Sequence, residues 1–338
     1  MSDPYPVPGL SGTLLVESFE SEVLRDNALS DPSTRHPLVY LPPGYENTND
    51  RYPVIFCLAG FTGTSWSFAN YDAFVPSLPQ RFERLLTDGR CTPAILVMVD
   101  GMTSLGGNQY INSPAVGDYS DHILRELVPH VDSTYRTMGD GHRGVMGKSS
   151  GGYGSIIHAM KRSSAWAAAA CHSGDMYFDY CYLPDFPQTV DALRKHSDLS
   201  TWFAAFRAKP KKESEDISVL NIVAMSAFYS PNADSVMGVD LPVEVSTGEI
   251  RPEVWTRWLD NDPVRLVDRY AENLNSLKLL YIDCGSKDEF KLHHGARILV
   301  DKLQRLGVPH TYEEFEDTHM SIQYRYDVSL PLLVNALT

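Results

Sequence analysis

The chain has 338 residues, enough for one large α/β domain or a core carrying an inserted segment. Hydrophobic residues make up 43% and charged residues 21%, an ordinary globular composition that speaks against a disordered or fibrous chain. A formal net charge of −14 gives no basic field for a nucleic-acid backbone, and no apolar run reaches membrane-spanning length.

Met1 to Gly12 reads as a loose lead-in, without the basic start and apolar core of a signal peptide. Leu14 to Phe19 and Pro37 to Leu41 predict two strands, and Pro42-Pro43-Gly44-Tyr45 a firm turn. Pro53 to Leu58 is continuously apolar, as a strand buried on both faces must be. It runs into Ala59-Gly60-Phe61-Thr62-Gly63, a loop able to turn a backbone amide toward a ligand. Pro79 to Leu86 predicts a helix and Ala94 to Asp100 another buried strand. Gly101 to Asp118 is a long loop at the presumed carboxyl edge of the sheet, where α/β proteins bind ligands. Asn108, Tyr110, Asn112 and Ser113 are its candidates for lining a pocket, the alternative being a solvated loop. Tyr119 to Val128 predicts an amphipathic helix closed by Pro129.

Gly147-Lys148-Ser149-Ser150-Gly151 fits G-x-S-x-G, the nucleophile elbow of α/β-hydrolases. The motif needs a strand before it and a helix after it. Arg143 to Met146 predicts the strand and Gly152 to Lys161 the helix. The turn presents the hydroxyl of Ser149, and the helix N-terminus offers free amides to an oxyanion. One such donor is the Ser150 amide. The other is assigned to the Phe61 amide, with Gly60 and Thr62 as substitutes. Lys148 reads as a surface or salt-bridged lysine. Ala167 to Cys171 predicts the next strand.

From Asp175 to Asn261 the strand–helix alternation breaks down, which predicts a cap inserted into a single domain spanning 1–338. Its many aromatics either roof a pocket or form the cap's own core. Tyr177, Phe228 and Tyr229, with Tyr110, are the expected substrate-binding residues. Lys209, Lys211 and Lys212 read as a solvated face. Regular order resumes with a helix over Pro263 to Leu274, capped by Asp262, and a strand over Leu277 to Asp283. A helix over Leu292 to Leu306, a strand over Thr311 to Phe315 and a helix over Tyr324 to Leu337 complete the chain.

A serine needs a base, and the base an orienting acid; on this fold they follow in the order Ser, acid, His. Asp288 follows the penultimate predicted strand and His319 the last. Asp283 and Glu289 are rival acids, and His172 is a neighbour of the site. His293-His294 has no metal-ligand partner at usable spacing, so neither metal nor cofactor is expected. Cys57, Cys91, Cys171, Cys181 and Cys284 are odd in number and lack metal spacing, which suits a reduced, cytoplasmic protein.

The chain resembles the putative-esterase family of α/β-hydrolases, which includes S-formylglutathione hydrolases, feruloyl and acetylxylan esterases, enterochelin esterases and mycolyltransferases. The likeness runs through Val39 to Tyr45, Gly60-Phe61, Glu126 to Asp132, the elbow, Ala227 to Asn232, Asp288 and His319. It implies an α/β-hydrolase fold, with a mostly parallel central sheet flanked by helices. It also implies a Ser149, Asp288, His319 triad with oxyanion amides at Phe61 and Ser150. The oxyanion loop lacks the cysteine of S-formylglutathione hydrolases, and the chain shows none of the export signal of the mycolyltransferases. The expected function is a serine carboxylesterase acting on a small-molecule ester. Acyl transfer on the same triad, or a silent binding protein, are the alternatives. A homodimer remains compatible with the sequence; nucleic-acid and membrane partners are not expected.

Overall fold

The computed structural model describes residues 4, 5, 7, 9–70 and 72–338. Residues 1–3, 6 and 8 of the expected lead-in over 1–12 therefore lie outside the described residues. Nine strands form the main sheet: β1 (Pro4–Tyr5), β2 (Thr13–Val16), β3 (Leu38–Leu41), β4 (Val54–Leu58), β5 (Ile95–Met98), β6 (Arg143–Lys148), β7 (Ala168–His172), β8 (Leu279–Gly285) and β9 (Thr311–Phe315). Their spatial order is β1-β2-β3-β5-β4-β6-β7-β8-β9. The first three strands join antiparallel, and β3 meets β5 antiparallel. From β5 to β9 every pair is parallel, so every carboxyl end opens on one edge.

Apolar runs without alternation form β4 and β5 because helices cover both faces of the sheet. Val54, Phe56 and Leu58 enter one core; Ile55 and Cys57 enter the other. The helices are α1 (Leu78–Thr87), α2 (Val128–Thr134), α3 (Ser150–Lys161), α4 (Phe186–Leu193), α5 (Leu199–Ala208), α6 (Ser214–Tyr229), α7 (Pro252–Leu259), α8 (Pro263–Asn275), α9 (Leu292–Arg305) and α10 (Tyr326–Leu337). The sheet core of Ile55 and Cys57 is closed by α1 and α10, through Phe82, Leu85, Leu330 and Leu333. Opposite lies α3, with α8 and α9 beside it.

One sequence expectation fails in its boundary. Pro129 does not close the helix begun at Tyr119. The chain winds a π turn over His122–Leu127 and continues as α2, with Pro129 in the first turn. A proline removes one backbone donor from a continuing helix, and the wider π turn directly before Pro129 is where such a break in the bonding pattern is accommodated.

Between β7 and β8 the chain makes helices, turns and two isolated bridges, in place of a regular β–α alternation. Its centre is an interlocked set of rings. Trp258 meets Tyr182 and Tyr229 at 5.5 and 5.4 Å between centroids, and Phe186 meets Trp255 at 5.4 Å. The indole N–H of Trp258 donates to Ser230 Oγ at 2.9 Å, so its one polar atom is satisfied.

Asp262 ties the start of this segment to α8, the helix that follows it. It is buried and accepts from the Tyr177, Phe178 and Val264 amides at 2.9, 3.1 and 3.1 Å. Burial raises its pKa, and those three amides pull it back. Replacing Asp262 by alanine strips the α8 cap and orphans two further amides. The expected loss is about 3 kcal/mol of stability, readable by urea unfolding; an unchanged midpoint would contradict this account of the junction.

Candidate active site

β6 ends at Lys148 and α3 begins at Ser150, which leaves Ser149 alone at the turn. Its backbone sits at φ 59° and ψ −126°, a region that costs on the order of 1–3 kcal/mol for a residue with a side chain. Two backbone bonds hold it there. The Ser149 amide donates to His172 O at 3.0 Å, and Tyr153 N–H donates to Ser149 O at 2.8 Å. The loop after β4 lies directly alongside: a Cβ added to Gly60 would stand 3.3 Å from Ser149 Cβ.

The amides of that loop are now distinguishable. Thr62 N–H is committed to Gly106 O at 2.7 Å and Gly63 N–H to Gly60 O at 2.9 Å. Thr62 is thereby removed as an oxyanion donor. Phe61 N–H, Gly60 N–H and Ser150 N–H have no acceptor among the described residues.

The loops after β8 and β9 meet at the same edge. His319 Nδ1 lies 2.7 Å from Asp288 Oδ2. Both residues are buried. The other oxygen of Asp288 accepts from Phe290 N–H at 2.9 Å, which fixes the carboxylate. The His319 amide donates to Glu289 Oε2 at 2.7 Å, and the Phe290 ring stands edge-on to the imidazole at 4.8 Å. A carboxylate on Nδ1 favours the tautomer protonated there, with the lone pair on Nε2.

The rival acids have other work. Asp283 takes His172 Nδ1 at 2.8 Å, Tyr281 OH at 3.0 Å and Arg325 Nε at 2.9 Å. His172 passes its second nitrogen to Ser329 Oγ at 2.9 Å, so it is a satisfied core histidine. Glu289 holds the His319 backbone rather than the ring.

Ser149, Ser150, His319, Gly60 and Phe61 line one cavity of about 440 Å³. Its apolar wall comes from Phe61, Tyr182, Ile217, Phe290, Leu292 and Met320. Ser214, Ser218 and Asn221 add polar atoms from a single face of α6. Asp175 and Asp185 also reach it, and burial raises the pKa of each.

Sequence reasoning missed Asp175. It follows β7 and accepts from Tyr182 OH at 2.9 Å, Ser150 Oγ at 3.1 Å and Gln109 Nε2 at 3.3 Å. Those bonds, and the charge of His319 nearby, oppose the effect of its burial.

The four expected substrate-binding aromatics are elsewhere. Tyr110 is buried and donates to Ala59 O at 2.8 Å, pinning the loop after β4 from behind. Tyr177 packs edge-on against Tyr180 at 4.7 Å, outside the cavity wall. Phe228 and Tyr229 lie in the core at the far end of α6, about 16 Å along the helix from Ile217 at the usual rise per residue. The neighbours of Tyr110 are structural too. Asn108 donates to Gly101 O, Ser113 donates to Ala227 O, and Asn112 accepts from the Asp121 amide.

The profile of the family described as "Putative esterase" matches residues 32–329. The chain belongs to that family. It is an ester-hydrolysing enzyme of α/β fold.

Among solved structures, the esterase is similar to a ferulic acid esterase at 18% identity and a TM-score of 0.64, covering 97% of this chain and all of that one (100%). It is also similar to an S-formylglutathione hydrolase from Agrobacterium tumefaciens, at 16% identity and 0.60, with 99% of each chain covered. The serine hydrolase FphF of Staphylococcus aureus matches at 15% and 0.59, over 97% of this chain and 99% of that one. A curated relative, an endo-1,4-beta-xylanase/feruloyl esterase of Xylanibacter ruminicola, is 27% identical over 146 residues, 41% of this chain. That match spans 19% of the relative's length. No helix among the described residues is long and apolar enough to cross a membrane.

Proposed function

We propose that the esterase is a serine carboxylesterase working through Ser149, His319 and Asp288 and an acyl-enzyme. The observation that carries this reading is the 2.7 Å contact of buried Asp288 with His319, which lines the same cavity as strained Ser149. His319 Nε2 takes the Ser149 proton as the hydroxyl attacks the ester carbonyl. The Phe61 and Ser150 amides hold the oxyanion, each worth on the order of 3 kcal/mol in the transition state. His319 returns the proton to the departing alcohol, then activates the water that frees the acid. Asp288 keeps the imidazole in the required tautomer throughout.

The helical segment over 175–261 serves as a cap, contributing Tyr182, Ile217 and Asn221 to the wall. Phe61, Tyr182 and Phe290 suit a flat aryl or bulky acyl group, which agrees with the feruloyl esters that several relatives are named for.

The test is labelling with a fluorophosphonate followed by peptide mapping. Wild type is expected to carry the label on Ser149, and His319→Ala to react slower by roughly 10³-fold or more. A label on another residue, or equal rates in the two proteins, would remove the assignment.

A further inference from the structure

Lys148 has no part in the chemistry above, yet it stands next to the nucleophile. It is half-buried, and its ammonium has no hydrogen bond or ion pair among the described residues. Burial pulls its pKa down, while the carboxylates of Asp288, Glu289 and Asp175 push it up. Those carboxylates act from beyond pairing distance, so the ammonium keeps all its N–H donors for the direct contact that a ligand anion would supply.

The lysine sits where two cavities meet. The second has a volume of about 530 Å³ and shares Gly60, Phe61, Thr62 and Lys148 with the first. It extends between the start of α1 and the 321–326 segment. The two differ in charge. The catalytic cavity carries Asp175 and Asp185. The second carries Arg81, with Asp72 as the acid on its wall. Arg81 is incompletely answered: its Nη1 reaches Asp327 Oδ2 only at 3.4 Å, and its buried Nε has no partner among the described residues. Asp327 also pairs with Arg84, so one carboxylate serves two guanidiniums. The rim is apolar, with Phe74 94% exposed and Val75 beside it.

We propose that this second cavity holds the leaving half of an ester whose alcohol or phenol bears a carboxylate, and that Lys148 recognises that anion. The proposal rests on the esterase reading. The two halves of an ester diverge from the carbonyl at Ser149. An anionic acyl group would face Asp175 and Asp185, whereas an anionic leaving group passes over Lys148 toward Arg81. A lysine, a compact charge on a flexible stem, suits an anion whose angle of approach is not fixed.

The test compares 4-acetoxybenzoate with its uncharged counterpart 4-acetoxybenzamide. In Lys148→Met the ratio of kcat/KM for the anionic over the neutral ester is expected to fall by about tenfold or more, mainly through KM. Lys148→Arg should keep most of the preference, and added salt should narrow it in wild type. Calorimetric binding of 4-acetoxybenzoate to Ser149→Ala reads the site without turnover. Its Kd should rise by about tenfold when Lys148→Met is added. An unchanged ratio with an unchanged Kd overturns the proposal and leaves the esterase reading standing. Lysine-dependent binding without hydrolysis of either ester supports the anion site and counts against the esterase reading.

Discussion

Ser149→Ala is expected to lower kcat/KM for a small aryl ester by on the order of 10⁵-fold, with the fold intact. The size of the loss follows from the division of labour at the site. His319 has Asp288 behind it, but without the serine oxygen it has only water to activate. The free Phe61 and Ser150 amides survive the change and account for the residue of activity. Alanine keeps the Cβ that fills the turn, so the backbone at φ 59° meets no new contact. Steady-state rates, with circular dichroism as the control, check this. A variant retaining a tenth of wild-type activity would place the nucleophile elsewhere.

Gly151→Ala is expected to be the most damaging single methyl in the molecule. A Cβ at residue 151 would lie 2.0 Å from Leu58 O, 2.6 Å from Leu58 C and 2.9 Å from Ala59 O. All three atoms are main chain. Leu58 ends β4, which is hydrogen-bonded on both sides by β5 and β6 and cannot yield without opening the sheet. The alternative is for α3 to lift away, which would drag Ser149 with it. A loss above about 4 kcal/mol is expected, enough to leave little soluble protein at 37 °C. Gly139→Ala is the comparison: its Cβ meets nothing within 4 Å, and only the positive φ of 78° resists it. That change should cost about 1–2 kcal/mol. Similar yields and unfolding midpoints for the two variants would refute the close-packing argument.

The sequence was most legible where a residue type is dictated by its place in the chain. β4 is a continuous apolar run and β8 a mostly apolar one, each ended by turn residues, so the loops after them could be located before their shapes were known. Asp288 and His319 were chosen because each is an ionisable side chain in a loop after one of the last two strands, and the structure brings the two within 2.7 Å of each other. Phe61 was placed by the same logic, and the Thr62 amide is now accounted for by Gly106 O. The pocket was not legible. A large ring is equally suited to a core and to a cavity wall, so Phe228 and Tyr229 could not be told from Tyr182. The usable signal was periodicity: Ser214, Ile217, Ser218 and Asn221 make one mixed face on a helix that is largely apolar after its acidic first turn. Asp175 was missed because its partners, Gln109, Ser150 and Tyr182, are scattered along the chain and only the fold gathers them.

That gathering limits how the enzyme can diversify. Tyr182 belongs to the segment that shapes the pocket, and Ser150 opens the helix behind Ser149; one carboxylate joins them. Exchange of the segment for a foreign one would leave Asp175 with a lost donor, one bond from Ser150. New specificity by recombination therefore requires that the incoming piece bring its own hydroxyl to that spot. Point changes along the cavity-lining face of α6 carry no such condition. Lineages of this enzyme should drift in substrate through Ser214, Ser218 and Asn221 far more readily than by wholesale replacement.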